Sequence, residues 1–282
     1  MPELPEVETI VRELKPILPD RDILRVRVIR DDLLREEPDS FRRALEGTSI
    51  EDVARRGKKI VLKIQGGTVL TVNLGMTGQL LFSQDRKSTE PTVYDSPPHL
   101  GIAFHLSGEA RLNYVDVRRF GCLRRLTEGE WATEEKRLGP EPLDPALTAS
   151  VLHRRLQGSR APARSWLLDQ TRIAGIGNIY AVEALFMAGI HPETPAGLLN
   201  PSQARNLLTA LREVLRRAIA AGGTTLRDYR TASGETGRFS SSLRAYGREG
   251  EPCPRCNTPM QRIVFANRSA FLCPRCQPRT RR

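Results

Sequence analysis

Two cysteine pairs near the end of the chain constrain its fold more than any other feature. Cys253 and Cys256 form one Cys-x2-Cys pair, sixteen residues follow, and Cys273 and Cys276 form the second pair. Two pairs at this spacing are typical of a tetrahedral zinc held by four thiolates. A redox pair is the alternative, and the presence of two matched pairs disfavours it. A structural zinc contributes about 10–16 kcal/mol of binding free energy, so a short module can fold around it without a large core.

The positive charge of the chain is concentrated around these cysteines. The 282 residues include 44 Lys+Arg and 33 Asp+Glu, a net charge of +11, and the last 45 residues hold ten arginines and two acidic residues. This bias is typical of a contact with nucleic-acid phosphates. A solvated basic tail is the alternative, but interrupting cysteines favour a folded module. Arg262, Asn267 and Arg268 lie between the pairs, the last two at a predicted β-hairpin turn, so the module would present an arginine to phosphate.

The first half of the chain is predicted to be a leading helix followed by short strands. Proline suits the first turn of a helix, and apolar residues follow Pro5 at helical spacing. The strands show no alternation with helices, which favours an antiparallel β-sandwich. Predicted strands are residues 23–29, 59–64, 69–73, 101–106 and 110–115, with a short helix at 41–45 and a long exposed loop at 83–98.

The second half is predicted to be helical, which makes the fold class α+β. Helical spacing recurs at residues 151–156, 163–170, 179–187 and 202–221. The segment before them is rich in Glu, Pro and Gly and is predicted to be a linker. The predicted segments are an N-terminal sandwich domain at 1–130, a linker at 131–150, a helical domain at 151–235 and a zinc finger at 236–282.

Pro2, followed directly by Glu3, is the first candidate for chemistry. Removal of Met1 would leave a secondary amine, and an α-amino group has a pKa of about 7.7–8.0, near neutrality. Such an amine can attack an aldehyde-like carbon and form an iminium, with Glu3 as a proton-transfer group beside it. Met-Pro is also simply a common start. The helix that begins at Pro5 would hold both residues at a helix N-terminus, where backbone amides favour anions.

Glycine-containing motifs are further candidates for contacts with nucleic acid. GIGNIY at 175–180 joins two predicted helices and could cradle a phosphate, although glycine-rich helix junctions are common. NLGMTG at 73–78 and DVRRFG at 116–121 would place Met and Phe beside an arginine on turns, as in proteins that unstack DNA; ordinary packing is the alternative. GGTT at 222–225 either binds phosphate or ends a helix. Cys122 stands alone and is predicted to be a buried apolar residue.

Taken together, these motifs resemble those of the formamidopyrimidine-DNA glycosylase family of base-excision repair enzymes. The matching motifs, in chain order, are PELPEVET at 2–9, GKK at 57–59, LGMTG at 74–78, DVRRFG at 116–121, LGPEPL at 138–143, GIGNIY at 175–180, GIHP at 189–192, GGTTL at 222–226, YGR at 246–248 and the cysteine module. The resemblance implies an N-terminal antiparallel β-sandwich with a leading helix, then a helical helix-two-turns-helix domain with a four-cysteine zinc finger. DNA would lie between them, and the single zinc would be structural.

The resemblance also implies roles for individual residues. Pro2 would be the nucleophile on sugar C1′ of the damaged nucleotide, Glu3 the acid/base that assists ring opening, and Lys58 the proton donor linked to β-elimination. Asn178 and Arg268 would grip the phosphates around the flipped nucleotide, and Arg268 would also take part in δ-elimination. Other implied DNA contacts are Met76, Arg118 and Phe120, which fill the vacated stack, and His99, Arg119 and Arg160 on the backbone. Arg118 would face the orphaned cytosine, and residues 224–243 would close over the extruded base.

The implied activity is removal of oxidised purines (8-oxoguanine and formamidopyrimidines), preferably opposite cytosine, from double-stranded DNA, followed by β,δ-elimination at the abasic site. One alternative is an endonuclease VIII-like glycosylase for oxidised pyrimidines, which the PELPEVET start and the stack-filling trio disfavour. Another is a non-catalytic zinc-finger DNA-binding protein. The joint presence of Pro2, Glu3 and Lys58 argues against this alternative, because a binding protein has no use for an N-terminal proline. No apolar stretch is long enough for a membrane span and no signal segment is evident, so we expect a cytoplasmic protein. The resemblance implies in addition a monomer that is associated with the nucleoid through DNA.

Overall fold

The computed structural model describes residues 2–84 and 97–279, which divide into two compact units. The first unit comprises Met1–Lys136 and Ile219–Arg238, and the second comprises Arg137–Ala218 and Phe239–Arg282. We call Ile219–Arg238 the inserted segment, because it belongs to the first unit although both of its neighbours along the chain belong to the second. The boundaries predicted at 130, 150 and 235 stay a prediction, since a compact unit need not coincide with a functional domain.

The first unit is an antiparallel β-sandwich with a leading helix, as predicted. Its helices and strands are α1 (Leu4–Leu14), β1 (Ile23–Val28), α2 (Pro38–Leu45), β2 (Ile50–Arg56), β3 (Lys59–Ile64), β4 (Thr68–Asn73), β5 (Gly78–Gln84), β6 (Leu100–Leu106), β7 (Ala110–Asp116), β8 (Cys122–Thr127) and α3 (Glu128–Lys136). Every strand pairing is antiparallel, in two four-stranded sheets of order β1-β6-β7-β5 and β2-β3-β4-β8. Side chains from both sheets and from α1 share one buried core.

Helix α1 forms where the sequence predicts it, and its apolar stripe fixes it to the sandwich. Pro5 lies in its first turn, and Val7, Ile10 and Leu14 are fully buried. Each buried aliphatic side chain of this size contributes about 1.5–3 kcal/mol relative to exposure. The start of the chain is therefore attached to the main core of the unit, although it is a terminus.

Four elements were not predicted individually, and each lacks a clear periodic pattern. In β2 the buried Ile50 and Val53 are separated by two acidic residues instead of alternating with single polar ones. Strands β5 and β8 were also missed. Helix α3 has no buried residue and therefore no apolar stripe, and it occupies part of the predicted linker. Of the loop predicted at 83–98, Ser83 and Gln84 belong to β5, and residues 85–96 lie outside the described residues.

The second unit combines helices with a β-hairpin. Its elements are α4 (Ala149–Leu156), α5 (Ala163–Leu168), α6 (Asn178–Ala188), α7 (Pro201–Ala220), β9 (Gln261–Phe265) and β10 (Arg268–Leu272). Ala266 and Asn267 have φ of 50° and 56° at the two-residue hairpin turn, a conformation that two-residue hairpins favour. Within residues 2–84 and 97–279, no helix has the length and apolar character needed to cross a membrane.

Helix α6 and the hairpin form one core. A buried carboxylate on α6 also binds the segment that leads into the hairpin. Val182 and Phe186 of α6 pack with Met260 and Ala270 of the hairpin module. Glu183, also on α6, is 1% exposed and accepts backbone N–H bonds at 2.8–2.9 Å from the three successive residues 244–246. One side chain thereby satisfies three amides in the segment that leads into the cysteine module.

We predict that Glu183→Ala destabilises the second unit by about 3 kcal/mol or more, because three buried amides lose their acceptor. Glu213→Ala is the matched control, since Glu213 makes only a surface pair with Arg217 on α7 and should cost about 0–1 kcal/mol. Urea unfolding followed by near-UV circular dichroism measures both. Equal midpoints for the two variants would contradict the anchoring role of Glu183.

Candidate functional site

The predicted N-terminal catalytic residues lie at the start of α1. Pro2 is buried, and Glu3 is the N-cap residue of the helix with 3% exposure. The Glu3 N–H donates to Glu6 Oε2 at 2.8 Å, and its carbonyl accepts from the Val7 N–H at 3.1 Å. The backbone beside Pro2 is therefore fixed by bonds to the first turn of α1.

Lys58, the third predicted catalytic residue of the first unit, lies in the tight turn between β2 and β3. Gly57, directly before it, has φ of 58°, in the left-handed region that glycine favours. Both β2 and β3 pack against α1, the helix that carries Pro2 and Glu3. The structure therefore places the three residues at the ends of elements that share one core.

The inserted segment is attached to α1 and to β5. The Thr224 N–H donates to Glu6 Oε1 at 2.7 Å, and the Phe82 N–H donates to the Ala232 carbonyl at 2.8 Å. The Tyr229 hydroxyl donates to the Glu6 carbonyl at 3.2 Å. Burial, together with the nearby Glu6 charge, raises the pKa of Tyr229, so its hydroxyl stays a neutral donor.

Two turns of the first unit pack back to back around the carboxylate of Asp116. It accepts from the Thr77 hydroxyl at 2.5 Å, from the Arg118 N–H at 3.2 Å and from the Gly121 N–H at 2.9 Å. The approach of the turns is tight, because a Cβ on Gly75 would lie 2.5 Å from the Gly121 nitrogen. The 73–78 and 116–121 motifs are thus one rigid structure.

These joined turns carry the three residues predicted to fill the vacated base stack. Met76 is 40% exposed and Phe120 is 58% exposed, and the Arg118 guanidinium lies 4.6 Å from the centre of the Phe120 ring. An exposed Met and Phe beside an arginine can enter a base stack and unstack it.

His99 and Arg119, predicted to contact the DNA backbone, adjoin the same turns. The His99 carbonyl accepts from the Asp116 N–H at 3.2 Å, and Arg119 pairs with Asp32 at 3.2 Å. Both residues are exposed and have positive φ, 62° for His99 and 56° for Arg119. Such a backbone conformation is uncommon outside glycine and is found at functional turns.

In the second unit a buried arginine connects Asn178, a predicted phosphate-binding residue, to the hairpin that carries Arg268. Arg164 of α5 is fully buried; it donates to Asn178 Oδ1 at 2.8 Å and to the Phe265 carbonyl at 2.6 Å, and its guanidinium lies 4.0 Å from the Phe265 ring centre. Asn178, the first residue of α6, donates through Nδ2 to the Ser269 carbonyl at 3.0 Å. The helix junction at Asn178 is thus bonded to the hairpin at Ser269, the residue that follows Arg268.

Sequence reasoning missed Arg164. It lies in a predicted helix, and nothing in its local pattern distinguishes it from a surface arginine. Burial and, to a lesser extent, the positive charge of Arg268 lower the pKa of Arg164. Arg268 itself is exposed at the start of β10. Arg160 is exposed before α5, and among the described contacts none joins it to Asn178 or Arg268.

The four predicted zinc ligands form one cluster in the second unit. The ligand atoms of Cys253, Cys256, Cys273 and Cys276 all lie within 4.8 Å of one another, with separations of 3.9, 3.4 and 3.5 Å for three of the Sγ pairs. A tetrahedron with Zn–S bonds of about 2.3 Å has S···S edges of about 3.8 Å. The cluster therefore fits one zinc ion, and because all four positions are cysteine sulfurs the site is structural.

The surroundings of the cysteines also favour a bound cation. Hydrogen bonds with Thr258 lower the pKa of Cys256 to about 6, whereas burial and the neighbouring thiols raise the pKa of Cys276 to about 12. Backbone N–H groups of Arg255 and Cys276 donate to sulfurs of the cluster at 3.4 Å. Four thiolates this close repel one another, and a divalent cation removes that repulsion.

Three family models together match nearly the whole chain. The formamidopyrimidine-DNA glycosylase N-terminal domain matches residues 1–123, the formamidopyrimidine-DNA glycosylase H2TH domain matches 138–230, and the zinc finger found in FPG and IleRS matches 250–279. These matches define the class of the protein as a base-excision repair glycosylase with a helix-two-turns-helix domain and a zinc finger.

Curated relatives narrow this class to one family. The chain is 42% identical over 278 residues to formamidopyrimidine-DNA glycosylase of Chloroflexus aurantiacus, with 98% of each chain covered. It is 44% identical over 266 residues to the enzyme of the same name from Moorella thermoacetica, with 93% of this chain and 94% of the relative covered. The chain belongs to the formamidopyrimidine-DNA glycosylase family, whose members are DNA glycosylases and abasic-site lyases.

Solved structures agree with this assignment. The MutM (FPG) protein of Thermus thermophilus has a TM-score of 0.85 and 40% identity, covering 99% of this chain and all of that one. Lactococcus lactis Fpg has been solved as a mutant with Fapy-dG containing DNA and as the wild type with an oxidised pyrimidine containing DNA. Both Lactococcus structures have a TM-score of 0.87 and 31% identity and cover 99% of this chain and all of the relative.

We predict that Gly121→Ala displaces the joined turns, because its Cβ would lie 1.8 Å from the Tyr114 hydroxyl and 2.5 Å from the Asn73 carbonyl. Overpacking of this kind costs about 1–3 kcal/mol of stability, and the displacement of Arg118 and Phe120 should weaken duplex binding as well. Thermal melts and DNA-binding titrations measure the two effects.

Gly129→Ala is the matched control for this substitution. A Cβ there meets nothing within 4 Å, and alanine is about 1 kcal/mol better than glycine inside a helix such as α3. The control should therefore be neutral or slightly stabilising and should bind DNA normally. Wild-type stability and affinity in Gly121→Ala would show that the close approach of the turns is unimportant.

Proposed function

We propose that this enzyme removes oxidised purines from double-stranded DNA with Pro2 as the nucleophile, and then cleaves the strand by β,δ-elimination. The observation that carries the proposal is the placement of Pro2 and Glu3 at the start of a buried helix in a chain of this family. After removal of Met1, the proline nitrogen is a secondary amine that can act as a nucleophile and then as an electron sink. Glu3 lies next to it as the acid/base group.

In the proposed reaction the amine attacks C1′ of the everted nucleotide, and the bond from C1′ to the damaged base breaks. The base leaves with the electron pair of that bond and takes up a proton. Sugar-ring opening, assisted by Glu3, gives an iminium between the Pro2 nitrogen and C1′. The iminium acidifies the proton on C2′, so loss of that proton expels the 3′ phosphate. Lys58 is the proposed proton donor linked to this step, and Arg268 assists the later loss of the 5′ phosphate.

Eversion of the nucleotide costs a few kcal/mol, and the remaining site residues offset it. The exposed Met76 and Phe120 enter the stack that the damaged nucleotide leaves, and Arg118 faces the orphaned cytosine, which favours lesions opposite cytosine. Asn178 and Arg268 hold the phosphates on either side of the everted sugar. His99, Arg119 and Arg160 contact the backbone further along, and we propose that the enzyme acts as a monomer.

Oxidised pyrimidines are a second candidate substrate class. The Lactococcus relative has been solved both with Fapy-dG containing DNA and with an oxidised pyrimidine containing DNA. We propose purines as the main substrates, because the PELPEVET start and the trio of Met76, Arg118 and Phe120 favour that branch. Single-turnover excision rates over duplexes containing 8-oxoguanine, Fapy-dG or an oxidised pyrimidine would rank the two classes.

The nucleophile is tested by borohydride trapping. The processed protein should form a covalent adduct with a duplex containing 8-oxoguanine, because borohydride reduces an iminium to a stable amine. A version with residues added before Pro2 should bind the duplex and form no adduct, whereas the same residues added after Arg282 should have no effect. Trapping by the N-terminally extended protein would assign the reaction to an amine other than that of Pro2, and no trapping by the processed protein would exclude iminium chemistry.

The phosphate role of Arg268 is tested by the salt dependence of binding. Loss of one phosphate contact lowers the slope of log K against log salt by about 0.9. Arg268→Ala should show this decrease. Arg205→Ala, an exposed position on α7 with no assigned DNA contact, should keep the wild-type slope. Equal slopes for Arg268→Ala and the wild type would remove Arg268 from the phosphate contacts.

A further inference from the structure

We propose that Glu6 is a positioning residue that couples the inserted segment to the N-terminal nucleophile. The inference rests on the proposed function, because it concerns how Pro2 becomes aligned when the segment takes up its place at the everted nucleotide. Glu6 is 1% exposed and lies at the third position of α1. It is a buried carboxylate for which the reaction proposed above has no use.

The two oxygens of the Glu6 carboxylate accept hydrogen bonds from two segments of the first unit that lie far apart in the sequence. Oε2 accepts from the Glu3 N–H at 2.8 Å, and Oε1 accepts from the Thr224 N–H at 2.7 Å. The Glu3 amide is the peptide bond that follows Pro2. One rigid planar group thus lies between the backbone that carries the nucleophile and the backbone of the inserted segment.

The inserted segment approaches Glu6 closely at Gly223. Gly223 has φ of 87°, a conformation that favours glycine, and a Cβ on it would lie 3.0 Å from Tyr229 Cε1 and 3.1 Å from both Cγ and Oε1 of Glu6. Gly237 packs behind it, since a Cβ at that position would lie 2.3 Å from the Gly223 carbonyl oxygen. A side chain at position 223 would therefore press on Glu6 and Tyr229, while Gly237 limits movement of the backbone away from them.

Tyr229 makes a second link at the same place. Its hydroxyl lies 3.2 Å from the Glu6 carbonyl oxygen and 3.1 Å from the Gly222 carbonyl oxygen. Tyr229 therefore ties the inserted segment to the backbone of Glu6, beside the side chain that binds the Glu3 and Thr224 amides. A displacement of the segment thus acts on the backbone and on the side chain of the residue that holds the Glu3 amide.

Two other attachments of the segment involve residues away from Pro2. The Ser233 N–H donates to Glu13 Oε2 at 2.9 Å, and Gln79 donates to the Asp228 carbonyl at 2.6 Å. Glu13 is on the same helix as Glu6, but its contact is at the far end of α1 from Pro2. A substitution at Glu13 can thus loosen the segment without touching the Glu3 amide.

The comparison of Glu6→Gln with Glu13→Gln tests the coupling. In Glu6→Gln one acceptor oxygen becomes an NH2 group, so one of the two amides loses its partner. We expect excision of 8-oxoguanine in a single turnover and borohydride trapping on a preformed abasic duplex each to fall about tenfold or more, as a small misplacement of a reacting group does. Glu13→Gln should slow excision at most and trap abasic DNA at the wild-type rate.

Gly223→Ala makes the same test from the side of the segment. It does not touch Pro2 or Glu3, yet it should slow abasic trapping, because the added methyl group displaces the Glu6 side chain. Hydrogen exchange should show lost protection in residues 2–10 as well as in residues 219–238 for Gly223→Ala and Glu6→Gln, and in the segment alone for Glu13→Gln.

Wild-type trapping rates in Glu6→Gln, or in a folded Gly223→Ala, would overturn the coupling. So would a matching pattern of losses in Glu6→Gln and Glu13→Gln, which would mean simple anchoring of the segment. Failure of the proposed function is a separate outcome, because it would appear as the absence of any adduct with the wild-type enzyme.

Discussion

The buried carboxylate of Asp116 holds the two turns of the first unit on which Met76 and Phe120 are exposed. It is 2% exposed and accepts from the Thr77 hydroxyl and from two amides of its own turn. Hydrogen bonds to a charged acceptor are worth about 1.5–3 kcal/mol each, more than ordinary ones. Since Met76 and Phe120 are largely exposed, burial of these two side chains does little to hold the turns in place. The carboxylate beneath them does this instead.

Buried charges fix the backbone elsewhere in the molecule as well, whereas several arginines are exposed. Arg164, Glu183 and Glu6 are buried and bind backbone groups, whereas Arg118, Arg119 and Arg268 are exposed. A buried charge tolerates only one arrangement of partners, because an unsatisfied one is very costly. It is therefore suited to fixing turns and helix starts, while the exposed arginines can exchange water for phosphate.

The sequence was sufficient for the parts of the fold that have local patterns. The stripe in α1, the apolar run of β3 and the cysteine spacing each predicted their element, and the spacing predicted the zinc ligands too. Strand β2 and helix α3 were missed because neither alternates polar and apolar residues regularly. Arg164 was missed for another reason: its partners Phe265 and Ser269 lie about a hundred residues away, and no local pattern reports them.

The inserted segment affects the order in which the enzyme can be completed during synthesis. Tyr229 and Ala232 belong to the same buried core as α1 and both sheets, although eighty-two residues of the second unit separate the inserted segment from Lys136. Ribosomes add about 5–20 residues per second, so the sandwich waits several seconds for these side chains after its last strand has emerged. Pro2 is made early, but the unit that holds it gains its full core only after most of the chain has been translated.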